Sequence, residues 1–183
     1  MRIVTAITGS SGAIFAREFL KQCDAEKYLV VSKWGKVLLK DELGIAVKDL
    51  LPSVKREFSD DDLTAPIASG SNHLDAVVIL PCSTSTLGKI ASGIGDTLIT
   101  RTAQVALKEH FKLVICIRET PLSTITLEQC ARLSRDGAMI MPISPPMYSV
   151  PRTVDEYVQA FVDKVLGVIG ARQSRGWRAE ELE

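Results

Sequence analysis

The chain has 183 residues, of which 46% are apolar and 24% are charged, as in an ordinary soluble globular protein. Its 22 basic residues balance its 22 acidic residues, so the formal net charge is zero. This balance argues against nucleic acid as the main partner, because neutralising phosphates requires a basic surplus. At this length we expect a single domain that spans residues 1–183.

The sequence indicates a cytoplasmic protein without a membrane segment or a metal site. No apolar run approaches the roughly 18 residues that span a bilayer. The five residues before the first polar turn are too few for a signal peptide. The cysteines, at positions 23, 82, 116 and 130, are spaced too widely for a zinc site, so we expect reduced thiols.

Strand-like and helix-like segments alternate in the first half of the chain. The predicted elements are strands at 3–7 and 28–31 and helices at 13–22 and 33–42. The second helix is expected to face inward through Trp34, Val37 and Leu38, with Leu39 beside them. The polar stretch 47–63, with its run of three aspartates, is interpreted as a surface excursion.

The second half continues the alternation. Residues 76–80 form an apolar run typical of a strand buried on both faces of a parallel sheet. The other predicted elements are strands at 113–117 and 138–141, a helix that follows Thr84 and runs to Ser92, and helices at 97–109 and 126–135. A last helix is indicated by apolar residues at steps of three and four from Val154 to Ile169, and Thr153 and Glu156 predict a capping box at its start.

This alternation predicts an α/β fold with a parallel sheet covered on both faces. Ligands of such sheets bind beyond the carboxyl ends of the strands. The five loops that follow strands are rich in hydroxyl, charged, Pro or Gly residues: 9–12, 32–34, 81–86, 118–123 and 142–148. This coincidence is the first functional signal.

Two of these loops could hold an anion or a flavin edge. The Gly-Ser-Ser-Gly turn at 9–12 suits a phosphate at a helix start, or is a plain turn with Ser as N-cap. The loop 81–86 carries more hydroxyls than capping requires, and a nucleophilic role for Cys82 is disfavoured because nothing nearby activates it. The small-residue segment 65–71 is interpreted either as a loop facing a ligand or as a turn that packs a helix on the sheet.

Charged residues suggest a reaction centre. Arg118 and Glu119 follow an apolar strand, where burial would be costly unless the two were used or paired. We interpret them as an anion-binding Arg and an acid/base Glu; the alternative is a structural salt bridge to Lys108 or Arg101. Arg101 and Lys108 lie seven residues apart on one helix face. With Lys164 and Tyr148 they could form a phosphate clamp.

Taken together, these segments resemble the UbiX family of flavin prenyltransferases, also described as small subunits of aromatic acid decarboxylase systems. The matching segments occur in family order over nearly the whole chain: 8–13, 65–71, 81–83, 105–109, 118–123 and the Pro-rich loop ending at Tyr148. The resemblance implies a flavodoxin-like, Rossmann-type three-layer sandwich. It also implies a dodecamer with sites between subunits, in which a tail of about 171–183 would pack.

The resemblance further implies a metal-independent reaction. The family binds reduced FMN and dimethylallyl monophosphate and joins the prenyl unit to flavin N5 and C6. The product, prenylated FMN, serves UbiD-type decarboxylases. The alternative is an FMN-binding accessory or carrier subunit without prenyl transfer. A flavin-dependent cysteine decarboxylase is disfavoured, because such enzymes use an early histidine and none precedes His73.

Residue roles follow from the same resemblance. Glu119 and Ser11 would move protons during ring closure, and Glu42 would lie near the substrate phosphate. The implied flavin contacts are Gly9, Ser10, Ser11, Gly12, Ser32, Ser83, Thr84, Thr86 and Arg118. The implied phosphate ligands are Arg101, Lys108, Tyr148 and Lys164.

The chain departs from the family pattern at four positions. Gln104 stands where the family has Asp, His110 where it has Arg, and Asn72 where it has Phe. Lys164 replaces a frequent Arg and keeps the charge without the bidentate geometry. These departures bear on the choice of donor and on rate more than on the fold.

Overall fold

A computed structural model describes residues 1–172, which build one parallel sheet flanked by helices. The strands are β1 (Arg2–Ile7), β2 (Glu26–Val31), β3 (Arg56–Ser59), β4 (Ala76–Cys82), β5 (Lys112–Ile117) and β6 (Met139–Ile140). The helices are α1 (Ala13–Gln22), α2 (Lys33–Leu43), α3 (Thr84–Ala91), α4 (Leu98–Lys108), α5 (Thr124–Arg135) and α6 (Val154–Ile169). Most of the predicted tail, 171–183, lies outside the described residues.

The strand order is β3-β2-β1-β4-β5-β6, and every neighbouring pair is parallel. The predicted parallel sheet is therefore confirmed. The chain places β2 and β3 on one side of β1 and then β4 on the other side of β1. The direction of strand addition therefore reverses between β1 and β4. A crevice opens at such a reversal, at the carboxyl ends of the strands.

The interpretation of 47–63 as a surface excursion is wrong for β3. Glu57 pairs with Leu29 at the edge of the sheet, and Phe58 is the one buried residue of the strand. A four-residue edge strand with one solvated face does not require an apolar run. The sequence therefore contains no such run from which β3 could be predicted. With β3, the sheet has six strands in the order that is typical of Rossmann-type folds.

The two faces of the sheet carry separate cores. Alternate side chains of β1 point to opposite faces: Ile3 and Ile7 pack with α1, α2 and α6, whereas Val4 and Ala6 pack with α3, α4 and α5. All seven residues of β4 are buried, as its apolar run predicts. Residues on α4 and α6 are therefore separated by the sheet.

The expected inward face of α2 is partly wrong. Trp34 and Val37 are exposed, and the buried residues are Gly35 and Leu39. A Cβ built on Gly35 would lie 2.5 Å from the carbonyl oxygen of Ile7, so the α2 backbone rests directly on the end of β1. Because glycine gives no hydrophobic signal, the phase of the helix could not be inferred from its apolar residues.

Hydroxyl side chains begin five of the helices. Ser32, Ser83, Thr97, Ser123 and Thr153 each accept a hydrogen bond from the backbone N–H three residues on. The predicted capping box of α6 is half correct. The Glu156 carboxylate accepts from the N–H of Arg152 rather than from that of Thr153.

Candidate active site at the carboxyl edge of the sheet

A cavity of about 690 Å³ lies where β1 to β4 end. The N-caps of three helices line it, namely Ser32 of α2, Ser83 of α3 and Thr97 of α4. Helix N-termini carry partial positive charge and N–H groups without an intrahelical partner. Their convergence favours an anionic ligand in the cavity.

Charged side chains of both signs line the cavity. Lys33 and Lys36 lie in the first turn of α2, Lys89 lies on α3, and Asp60 and Asp61 directly follow β3. The Asp60 carboxylate accepts from the N–H of Ile99 at 2.9 Å, so this carboxylate already occupies the start of α4. Burial raises the pKa of Asp60, and the hydrogen bonds from α4 oppose that rise. An external anion is therefore favoured at α2 and α3.

Thr8 joins the loops that follow β1 and β4. Its buried hydroxyl donates to the carbonyl of Pro81 at 2.9 Å and accepts from the N–H of Ser83 at 2.8 Å. These bonds hold the α3 cap beside the β1 loop. Thr8 is not among the predicted site residues, although a polar residue directly after an apolar strand is a signal for such a role.

We expect Thr8→Val to lower the free energy of unfolding by about 1–3 kcal/mol, because it leaves the Ser83 N–H without its acceptor. Urea unfolding followed by circular dichroism measures this change. Thr5→Val is the matched control: Thr5 is fully buried on β1, the strand that Thr8 follows, and its hydroxyl has no hydrogen-bond partner among residues 1–172. That control should leave stability unchanged or raise it, and equal losses in both variants would refute the role of Thr8.

A second polar cluster surrounds the start of α1. The Glu42 carboxylate accepts from the N–H of Gly12 at 3.0 Å and from that of Ala13 at 2.9 Å. The N-cap is Gly12, with a φ of 112°, so the expected Ser cap is wrong. Glu42 thus takes the place that an anion would have at the predicted 9–12 turn. The Ser10 hydroxyl donates to the carbonyl of Arg118 at 2.7 Å, which ties this turn to the end of β5.

Arg118 and Glu119 are exposed rather than buried, because β5 ends at Ile117. The alternative of a salt bridge to Lys108 or Arg101 is not seen within residues 1–172. Lys108 pairs with Glu109 instead, and the Glu119 carboxylate accepts from the N–H of Thr120 at 3.0 Å. Both side chains are therefore accessible to a ligand at the carboxyl edge.

The predicted site residues fall into three places. Four of the implied flavin contacts line the cavity: Gly9, Ser32, Ser83 and Thr86. Thr84 is the first residue of α3, and the remaining flavin and catalytic residues lie on the β1 and β5 loops or on α2: Ser10, Ser11, Gly12, Arg118, Glu119 and Glu42. The implied phosphate ligands are not brought together in one chain, since Arg101 and Lys108 lie on α4, Lys164 on α6 and Tyr148 in the loop between β6 and α6.

The segment 65–71 packs against α4, which is the second of the two interpretations given for it. Arg101 Nε donates to the carbonyl of Ala68 at 3.1 Å, and the Thr102 hydroxyl contacts the carbonyl of Ile67 at 3.4 Å. Gln104, one of the departures from the family, donates from its amide to the carbonyl of Ile90 at 2.7 Å and joins α4 to α3. A carboxylate could not donate this bond.

The cysteines are free thiols, and burial raises the pKa of Cys82 and of Cys116 far above the physiological range. Cys82 is thus a core residue and not a nucleophile. Within residues 1–172, no group of three or more His, Cys, Asp or Glu side chains could hold a metal ion. No helix in the same range has the length and apolar character that crossing a membrane requires.

Comparison with known proteins agrees with this geometry. A model of the flavoprotein family matches residues 1–169. The chain is 42% identical to the flavin prenyltransferase UbiX of Thermoplasma acidophilum over 93% of this chain and 95% of the relative. It is 40% identical to the flavin prenyltransferase LpdB of Lactiplantibacillus plantarum over 98% of this chain and 99% of the relative.

Two solved structures share the architecture. One is AnUbiX in complex with FMN and dimethylallyl pyrophosphate, with a TM-score of 0.90 and 34% identity over 97% of this chain and 98% of that one. The other is a dodecameric FMN-dependent UbiX-like decarboxylase of Escherichia coli O157:H7, with a TM-score of 0.92 and 36% identity over 97% and 99%. The predicted three-layer sandwich is confirmed by these likenesses.

Proposed function

Since this chain belongs to the flavoprotein family and, within it, to the UbiX-type flavin prenyltransferases, we propose that it transfers a dimethylallyl group from dimethylallyl monophosphate to reduced FMN. The C–O bond of the donor breaks and phosphate leaves as the prenyl carbon bonds to flavin N5, which gives up its proton. Protonation of the remaining alkene then allows its other end to bond to flavin C6, which loses its hydrogen as a proton. Each product molecule is one C5H8 unit heavier than the flavin.

The observation that carries this proposal is the convergence of the α2 and α3 starts on one cavity. Its volume of about 690 Å³ is in the range of small-molecule sites. Ser32, Lys33 and Lys36 supply an anion site that fits the FMN phosphate, and Ser83 and Thr86 supply hydroxyls for the rest of the molecule. Reduced FMN supplies an electron-rich ring as the nucleophile.

The other residues act on protons and on the leaving group. Glu119, accessible at the end of β5, takes and returns protons during ring closure, and Ser11 relays them. Glu42 orients the β1 turn through its bonds to Gly12 and Ala13. Arg101 and Lys108 stabilise the charge that grows on the leaving phosphate.

A complete phosphate site requires more than one subunit. Arg101 and Lys108 lie on the α4 face of the sheet, and Lys164 lies on the α6 face. We therefore assign these cations to a site shared between subunits of a dodecamer. The product is passed to a UbiD-type decarboxylase, and the four free thiols favour the reducing cytoplasm as the compartment.

Anaerobic incubation with reduced FMN and dimethylallyl monophosphate, followed by mass spectrometry of the released flavin, tests the proposal. A flavin heavier by one C5H8 unit is expected. A parallel reaction with the diphosphate donor determines which phosphate the site accepts. Unmodified but tightly bound FMN with both donors would refute prenyl transfer and favour the alternative, an FMN-binding accessory or carrier subunit of a decarboxylase.

A further inference from the structure

Trp34 is a large aromatic side chain that α2 holds at the mouth of the cavity with 64% of its surface exposed. Among residues 1–172, it is the only exposed large hydrophobic side chain that lines the cavity. An indole contributes strongly to binding when it is covered. Its exposure therefore identifies a surface that a ligand can cover.

The position of Trp34 is fixed by two glycines. A Cβ on Gly9 would lie 2.5 Å from the Trp34 Cβ, and the absence of a side chain at Gly35 seats α2 on the backbone of Ile7. The Lys33 ammonium lies over the indole at 5.7 Å from the ring centroid. Lys33 thus lies over one face of the ring, and the 64% exposure of Trp34 leaves surface that a planar group can cover.

The rest of the cavity lining is mainly polar. Within residues 1–172, hydroxyl, lysine and aspartate side chains dominate it, Val31 and Ile99 are the aliphatic members, and Trp34 is the one aromatic residue. A flavin has an anionic, hydroxylated tail and a planar aromatic ring. The polar lining matches the tail, and the indole is the group that matches the ring.

We propose that the indole of Trp34 lies against the isoalloxazine ring of bound FMN and contributes to flavin affinity. The inference rests on the proposed function, which puts FMN in this cavity. It gives Trp34 a role in recognition of the ring, separate from the phosphate contacts at the start of α2.

The experiment compares oxidised FMN with riboflavin, which lacks the phosphate. Dissociation constants of the full chain are measured by flavin fluorescence for the wild type, Trp34→Leu, Trp34→Phe and the control Val37→Ala. Val37 is also exposed, one turn along α2, but does not line the cavity. We expect Trp34→Leu to weaken the binding of FMN and of riboflavin by the same factor, about tenfold. Trp34→Phe should keep most of the affinity for both flavins. Val37→Ala should bind both flavins as the wild type does.

A change in the visible absorbance band of the bound flavin should accompany the loss in Trp34→Leu, because the band reports the surroundings of the ring. Unchanged affinity in Trp34→Leu overturns the proposal. A lower affinity for FMN with unchanged affinity for riboflavin also overturns the proposal, because it shows that the substitution acts on the phosphate end of FMN. If flavin affinity falls in Trp34→Leu and sedimentation shows that the subunits have dissociated, Trp34 is a contact between chains and the proposal is overturned. A wild type that binds FMN but makes no prenylated flavin refutes the proposed function and leaves this inference standing.

Discussion

Glu119→Gln is expected to lower the rate of prenylated flavin formation by about 10²–10⁴-fold, the usual contribution of a general acid or base. The amide keeps the size of the side chain and can still accept from the N–H of Thr120, which the carboxylate bonds at 3.0 Å. What it loses is the ability to take up a proton. Single-turnover mass spectrometry of the flavin measures the rate, and a flavin titration measures FMN affinity, which should stay within about twofold because the change spares the cavity.

Glu128→Gln provides the control for this substitution. Glu128 is an exposed carboxylate on α5 and lies outside the cavity lining. The Glu128→Gln substitution removes the same charge from the surface and should leave the rate of prenylated flavin formation unchanged. A Glu119→Gln variant that forms product at the wild-type rate would show that the proton is carried by another group.

Gly35→Ala is expected to destabilise the protein by about 3 kcal/mol, at the upper end of the range for overpacking. The new Cβ would lie 2.5 Å from the carbonyl oxygen of Ile7, an atom that also accepts the N–H of Ser32 at 3.0 Å. To relieve the contact, α2 must move away from β1 and carry Ser32 and the cavity wall with it. FMN affinity should therefore fall together with the midpoint of urea unfolding.

Gly88→Ala is the matched substitution in α3. A Cβ at Gly88 would meet the flexible end of the Gln129 side chain at 3.2 Å, which can move aside. The gain in helix propensity should leave this variant as stable as the wild type or stabilise it by up to about 1 kcal/mol. If Gly35→Ala behaved in the same way, the close contact between α2 and β1 would be wrong.

The parts of the fold that could be predicted are those with a repeating apolar signal. The continuous run of β4 and the three-and-four spacing of α6 both predict their elements, since burial on two faces or on one helical stripe dictates residue type directly. β3 has one buried side chain, Phe58, and its edge position leaves no comparable pattern. Gly35 is buried through its backbone, which no hydrophobicity scale records.

The candidate site also has parts that the sequence predicts and parts that it does not predict. The loops that contain Ser32 and Ser83 could be predicted because they follow strands and precede helices, a local pattern. The bond from Ser10 to Arg118 joins positions 108 residues apart, and that from Thr8 to Pro81 joins positions 73 apart. Such contacts depend on which strands become neighbours. Asp60 was not predicted as a site residue for the same reason. Its position at the start of α4 depends on β3, a strand that the sequence pattern did not indicate.

The separation of α4 from α6 by the sheet has a consequence for how activity responds to dilution. A phosphate site that uses both Lys108 and Lys164 cannot be assembled by rearranging one folded chain, because the buried strands lie between them. Such a site exists only while subunits are associated, so mass action governs catalysis as well as assembly. Two chains, each inactive through loss of a different one of these lysines, would restore a fraction of intact sites when they assemble together. If the proposed site uses both lysines, the order of the layers in the fold predicts genetic complementation between such alleles.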